Sequence, residues 1–265
     1  PIWRTSFTIS GSSVPLNPAG PPSPAIGFTR KPSSFFTSLY AMTLALKTGR
    51  LQYYSQIPVA EFIVPRGLVL LHGKPGAGKT TLASYIALKL AASGDKVLYF
   101  DTSPAGDGVS RLYAMGLKSL PAERAQAIRV SPRLLRRLII PAVVIREDAS
   151  PAHLIVDELS SVFLTVAETS PPDDSRARSV AYREMLFIAA LLKQYAVTYG
   201  MTCVAVVDDS REGPPVGGRA LQSIVSGSIR VEASEGKVRR LVVESGPGAG
   251  TRAEFVLTSK GLEFL

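Results

Sequence analysis

The chain has 265 residues, 46% of them hydrophobic, which is enough to bury a real core and excludes global disorder. Lys and Arg outnumber Asp and Glu by 30 to 21, a formal charge of +9 that favours a polyanionic partner such as nucleic acid. A single cysteine, Cys203, rules out an internal disulfide framework and fits a reducing, cytoplasmic setting; with only two histidines it argues against a structural zinc centre, and no apolar run reaches the ~18 residues of a membrane span.

Residues 1–34 hold seven prolines, three glycines and seven serines without a period, the composition of a basic, extended arm. Its prolines are incompatible with the amphipathic helix of an organellar leader. Residues 35–66 form a lead-in in which FFTSLYAMTLALKT (35–48) predicts a short helix. From residue 67 to 265 the pattern is that of one domain. GLVLLH (67–72) predicts a buried strand, GKPGAGKTT a turn, and LASYIALKLAASG an amphipathic helix stopped by glycine. Further strands are predicted at KVLYFD (96–101), AIRV (127–130), AHLIVDE (152–158) and MTCVAVVDD (201–209), the last preceded by a helix from about Arg176 to Tyr199. Within that last strand Cys203 reads as a core thiol. Strands alternating with helices imply right-handed crossovers and a mostly parallel sheet. Beyond residue 227, SIRVEASEGKVRRLVVES contains two strand runs joined by Ser234-Glu235-Gly236, a hairpin signal, and AEFVLTSKGLEFL repeats it. The predicted fold is α/β, a mostly parallel sheet flanked by helices with antiparallel C-terminal strands.

Between the first strand and the first helix lies a complete phosphate-loop motif, Gly73, Pro75, Gly76, Ala77, Gly78, Lys79, Thr80 and Thr81 marking its course. Glycines let successive amides turn toward phosphate oxygens, and the helix N-terminus behind them favours negative charge. Lys79 would reach the β- and γ-phosphates of ATP and the Thr80 hydroxyl would ligate Mg²⁺. The apolar strand Leu154-Ile155-Val156 ends in Asp157, the acid expected to hold the same ion. Glu158 has two readings, a carboxylate that polarises the attacking water or a strand-end side chain facing solvent.

These motifs, and the C-terminal segment PVGGRALQSIVSGSIRVEASEGKVRRLVVESG, resemble the RecA/RadA recombinase superfamily and, within it, the archaeal RadB-like paralogs of RadA. The resemblance spans residues 67–265. It implies a RecA-like P-loop NTPase core, ATP held between neighbouring subunits, single-stranded DNA held on two loops, and RadA-type recombinase or paralog subunits, or further copies of the chain, as partners. It aligns Arg111 with an adenine-stacking arginine, although a solvated helix arginine fits equally. Three features depart from the pattern. The water-activating glutamate after the second strand is replaced in Asp101-Thr102-Ser103 by serine. The Asn-Gln pair after the strand following Asp157 is replaced by Asp208-Asp209. Residues 1–66 carry no separate DNA-binding domain. An accessory paralog with slow hydrolysis, rather than a strand-exchange enzyme, is the expectation.

The two DNA loops would fall near 165–178 and 209–218, making Arg176, Arg178, Arg211 and Arg219 candidate phosphate contacts opposed by Asp173 and Asp174. A separate basic stretch places Arg133, Arg136 and Arg137 on one helix face, with Leu134, Leu135 and Leu138 expected inward. Two alternatives remain at this point. A MinD/ParA-like ATPase would use Lys74 as a signature lysine, and a non-hydrolysing, nucleotide-gated adaptor subunit would bind ATP without turnover.

Overall fold

Strand β1 (Leu68–Gly73) is buried at every position, as a strand covered on both faces must be. It belongs to a computed structural model that describes residues 66–265, apart from 105, 145–151, 212, 235 and 259–260; the predicted arm (1–34) and the lead-in helix (35–48) lie outside the described residues. Strands β2 (Val97–Asp101), β3 (Ala125–Arg129), β4 (His153–Asp157) and β5 (Cys203–Asp208) fall within three residues of the predicted runs. They are followed by β6 (Gly227–Ala233), β7 (Val238–Ser245), β8 (Arg252–Thr258) and β9 (Gly261–Phe264). Among the described residues one nine-stranded sheet results, in the order β3-β2-β4-β5-β1-β6-β7-β8-β9. Strand β6 lies parallel to β1 and antiparallel to β7, so it marks the change from the parallel core to the antiparallel edge predicted from the two hairpin signals.

Helices α1 (Lys79–Ala92), α2 (Asp107–Ala114), α3 (Pro132–Val144), α4 (Ser161–Thr169), α5 (Ser175–Tyr199) and α6 (Gly218–Ile224) cover the sheet. The strand period of two sorts the core. Val69 and Leu71 of β1 with Val204 and Val206 of β5 pack under α1 and α2, while Leu68, Leu70, Cys203, Ala205 and Val207 pack under α3 to α6. Cys203 is wholly buried and burial pushes its thiol up to about 12, which makes it a packing residue as expected. Among the described side chains of α3, Leu135 and Ile139, one turn apart, are fully buried; Leu134 and Leu138 are 46% and 41% exposed and do not pack inward as predicted. The i, i+4 row that faces the sheet is the one through 135 and 139, and 134 and 138 fall on the next row around the helix.

The parallel strands end together on one edge. Gly73 is in register with Asp208, and Asp101 with Asp157. Strand β5 lies between β1 and β4, so the last residue of β5 stands between the phosphate-loop strand and the strand carrying Asp157. On the other side of β1, Gly73 permits the close approach of β6, because a Cβ there would lie 2.2 Å from the Val231 carbonyl oxygen. Gly73→Ala is expected to cost about 3 kcal/mol or more of unfolding free energy. Gly76→Ala, with no atom within 4 Å of the new Cβ, should cost only the left-handed backbone, about 1–2 kcal/mol. Urea denaturation of the two variants checks the difference.

Candidate functional site

Residues 74–78 make the whole connection from β1 to α1. Gly76 (φ 76°) and Gly78 (φ 103°) adopt left-handed backbone, and the Ala77 amide closes the turn on the Lys74 carbonyl at 3.1 Å. Gly78 caps α1 without a side-chain hydrogen bond and the first turn carries no acid, so the leading amides of the helix are left for an anion. Lys74, Pro75 and Gly76 lie exposed on the crest, Gly78 and Thr80 are partly buried, and Ala77, Lys79 and Thr81 are buried. Lys79 is 7% exposed, and a buried ammonium must be partnered. Its Nζ donates to the Lys74 carbonyl at 3.1 Å and to Asp208 Oδ1 at 2.6 Å.

Thr80 and Asp157, far apart in sequence, meet here: Thr80 Oγ1 donates to Asp157 Oδ1 at 3.3 Å. The other carboxylate oxygen accepts from the Tyr99 hydroxyl at 2.6 Å. Burial pushes the Asp157 carboxyl up to about 6, opposed by the Tyr99 and Thr80 hydrogen bonds and reinforced by the charge of Asp101. A hydroxyl and a carboxylate oxygen are hard donors of the kind Mg²⁺ takes, and the ion's charge would offset the cost of holding Asp157 ionised. The first turn of α2 closes over the same acid through Gly108, where a Cβ would stand 2.9 Å from Asp157 Oδ2.

Glu158 turns inward, not to solvent. Its carboxylate accepts a hydrogen bond from the Ser160 hydroxyl, whose oxygen in turn accepts the Asp208 amide at 3.1 Å. Burial raises its proton affinity, and the Asp208 carboxylate raises it further. Glu158, Asp208 and Lys79 thus form one partly buried cluster beside the Thr80–Asp157 pair.

The departures from the recombinase pattern have distinct structural outcomes. Ser103 hydrogen-bonds to Asp101 Oδ1 through both its amide (3.1 Å) and its hydroxyl (2.7 Å), while its oxygen receives the Gly106 amide, so it builds the turn into α2. Asp208 faces the phosphate-loop lysine. Asp209 points elsewhere, into a buried hydrogen bond with His72 at 2.8 Å. Sequence reasoning missed Tyr99, Ser160, His72 and the Lys79 counter-ion role of Asp208. Two signals were present: a tyrosine inside the buried run VLYF needs a partner for its hydroxyl, and Asp208 ends a buried strand as Asp157 does.

Arg111 is exposed on α2. The segment expected as the first DNA loop, 165–178, is mostly helical: α4 runs to Thr169 and α5 begins at Ser175, leaving 170–174 as the connection. Asp174 caps α5 by accepting the Ala177 amide at 2.9 Å, a local role that explains one of the acids beside the arginines. Arg176 is exposed on the first turn of α5, and Arg178 donates to the Pro171 carbonyl at 3.2 Å while its buried Nε lacks a hydrogen-bond partner. Arg211 is exposed on the loop after β5, and Arg219 is exposed on the first turn of α6. Tyr182 of α5 joins the two regions by donating to the Gly217 carbonyl at 2.9 Å. Arg133, Arg136 and Arg137 are exposed on α3, where Arg136 lies 4.9 Å from the Phe187 ring centroid.

The Glu158 carboxyl rises from its ordinary 4.5 to about 7, so folding takes up a proton between those values. Its contribution to stability is therefore greatest at low pH and falls as pH rises through about 7. Glu158→Gln should remove that decline and stabilise the nucleotide-free protein by about 1–3 kcal/mol at mildly alkaline pH, read from urea midpoints across the window.

Residues 55–207, more than half of the chain, match the family model described as AAA domain. The DNA repair protein RadA of Aquifex aeolicus (strain VF5) is 26% identical over 205 residues, covering 76% of this chain and 42% of that protein. RadA of Escherichia coli (strain K12) is 24% identical over 176 residues, covering 64% and 33%. The chain thus spans less than half the length of these curated relatives. Among solved structures, the RadB recombinase superposes with a TM-score of 0.58 at 23% identity, covering 77% of this chain and 92% of that one. A KaiC-like protein from Pyrococcus horikoshii OT3 gives 0.55 at 18% identity, covering 77% and 91%. These likenesses set aside the MinD/ParA-like alternative, and Lys74 is an exposed loop residue. The chain belongs to the AAA domain family whose model it matches, as a member of the RecA/RadA superfamily with the fold of the RadB recombinase.

Proposed function

We propose that the chain is an accessory ATPase of recombination and repair, which binds ATP·Mg²⁺ at the phosphate loop, hydrolyses it slowly and engages single-stranded DNA. The observation that carries the reading is the meeting of Thr80 with Asp157 at 3.3 Å beside a buried Lys79, at the open N-terminus of α1. Three requirements for a nucleotide triphosphate coincide there: free amides, a buried cation and a hard donor pair for the metal. In this reading Gly73 to Thr81 cradle the phosphates, Thr80 and Asp157 hold Mg²⁺, and Arg111 stacks on the adenine. Glu158 serves as the base, since a proton affinity close to neutral pH suits proton transfer. Slow turnover follows from Ser103, which has no carboxylate and is committed to the α2 turn.

Single-stranded DNA would lie across the starts of α5 and α6, on Arg176, Arg178, Arg211 and Arg219, with the net charge of +9 drawing the polyanion in. RadA-type subunits, or further copies of the chain, would complete the ATP site from a neighbouring position. The adaptor reading draws support from the same Ser103 geometry, and turnover of ATP without DNA counts against it. A labelled single-stranded oligonucleotide titrated across a salt series, with and without ATP and Mg²⁺, tests the proposal. Log affinity should fall linearly with log salt, ATP should tighten binding, and Arg176→Ala should reduce the slope by about one unit. Absence of binding at low salt would overturn the DNA assignment.

A further inference from the structure

We propose that Asp208 is a counter-ion gate on the phosphate-loop lysine: it neutralises Lys79 in the nucleotide-free site, and a nucleotide must displace it to bind. The inference rests on the ATP reading above and assigns that site a means of setting its own affinity.

Lys79 is buried and charged, so its stability depends on whichever anion reaches it. Asp208 Oδ1 does so at 2.6 Å, the length of a charge-assisted hydrogen bond. Nor is the contact an accident of a mobile loop. Asp208 is the last residue of β5, in register with Gly73, and its amide is fixed on Ser160 Oγ at 3.1 Å. The carboxylate therefore approaches the ammonium from the side of β4, where Asp157 and Glu158 stand. Its neighbour Asp209 cannot share the role, because it is buried against His72.

A phosphate on Lys79 would bring further negative charge to a lysine that already faces Asp208 and lies near Glu158. One ammonium cannot neutralise both the phosphate and Asp208 in a site this sheltered from water. Phosphate binding therefore releases the Asp208 carboxylate from Lys79, and the energy of that ion pair is subtracted from the affinity. Adenosine, which has no phosphate to contest the lysine, does not meet this opposition. Asp208 is thus a positioning and selectivity residue that acts through Lys79.

Equilibrium titrations of ATP, ADP and adenosine, each with Mg²⁺, into the wild type, Asp208→Asn and Asp208→Glu test the gate. Melting of each nucleotide-free protein is followed in parallel. Asp208→Asn should bind ATP and ADP on the order of tenfold more tightly, leave adenosine unchanged and melt lower without nucleotide, because Lys79 loses its counter-ion. Asp208→Glu, which keeps the charge, should stay near the wild type; Asp208→Ser supplies the same charge removal if the asparagine variant does not fold. Binding of ATP by Asp208→Asn no tighter than by the wild type, or an equal gain for adenosine, would overturn the gate while leaving the nucleotide site intact. Failure of both the wild type and the neutral variants to bind ATP would instead remove the nucleotide reading on which the gate stands.

Discussion

A lysine ammonium buried at the mouth of a helix must be neutralised, and the C-terminal edge of this sheet is organised around that demand. The desolvation of Lys79 is tolerable only because the chain delivers a carbonyl, from Lys74, and a carboxylate, from Asp208, to the same nitrogen. The strand order makes the delivery possible. With β5 between β1 and β4, three strand ends place the phosphate loop, Asp208 and Asp157 side by side. Acids on either side of one lysine hold more negative charge than it can balance. Burial is the main reason Asp157 and Glu158 both bind protons more readily than exposed carboxylates do, and the charge of Asp101 on the first and of Asp208 on the second adds to it.

A second, partly buried polar group ties the phosphate-loop strand to the antiparallel extension. His72, the residue before Gly73, contacts Asp209 at 2.8 Å and Glu244 of β7 at 2.9 Å. Arg230 of β6 approaches both acids, at 3.8 Å from Asp209 and 3.9 Å from Glu244. Strands β1, β6 and β7 and the residue that follows β5 are thereby linked by polar contacts at the level where the phosphate loop begins. Such a network holds together only as a whole, since loss of one member leaves another buried and unpaired. The two adjacent aspartates at the end of β5 thus serve different partners, one above in the site and one in this support.

Much of this was legible in the residues. Runs such as LVLL, VLYF, LIVD and CVAVVD are continuous and apolar because helices cover both faces of the sheet, so their position and type could be read directly. The phosphate loop and Asp157 were legible for a related reason: glycines and a strand-end acid appear where a buried pattern stops. What could not be read was direction. Whether Glu158 faces solvent or Ser160, and whether Asp208 or Asp209 enters the site, depends on which way a strand end turns, and composition carries no record of that. Helix α4 carries no cap signal in the sequence, because SVFLTVAET follows a strand without a side-chain cap, so the expected DNA loop overlaps its C-terminal end as well as the first turn of α5. The facing of α3 differs from the expected one by one row, since three leucines within five residues satisfy more than one helical stripe.

The most direct test is a crystal structure of the chain with a non-hydrolysable ATP analogue and Mg²⁺. The account predicts a phosphate oxygen on Lys79 Nζ, Mg²⁺ between Thr80 and Asp157, and the Asp208 carboxylate withdrawn beyond hydrogen-bonding distance of the lysine. A nucleotide bound with the Lys79–Asp208 pair intact, or with its phosphates away from the α1 N-terminus, would contradict it.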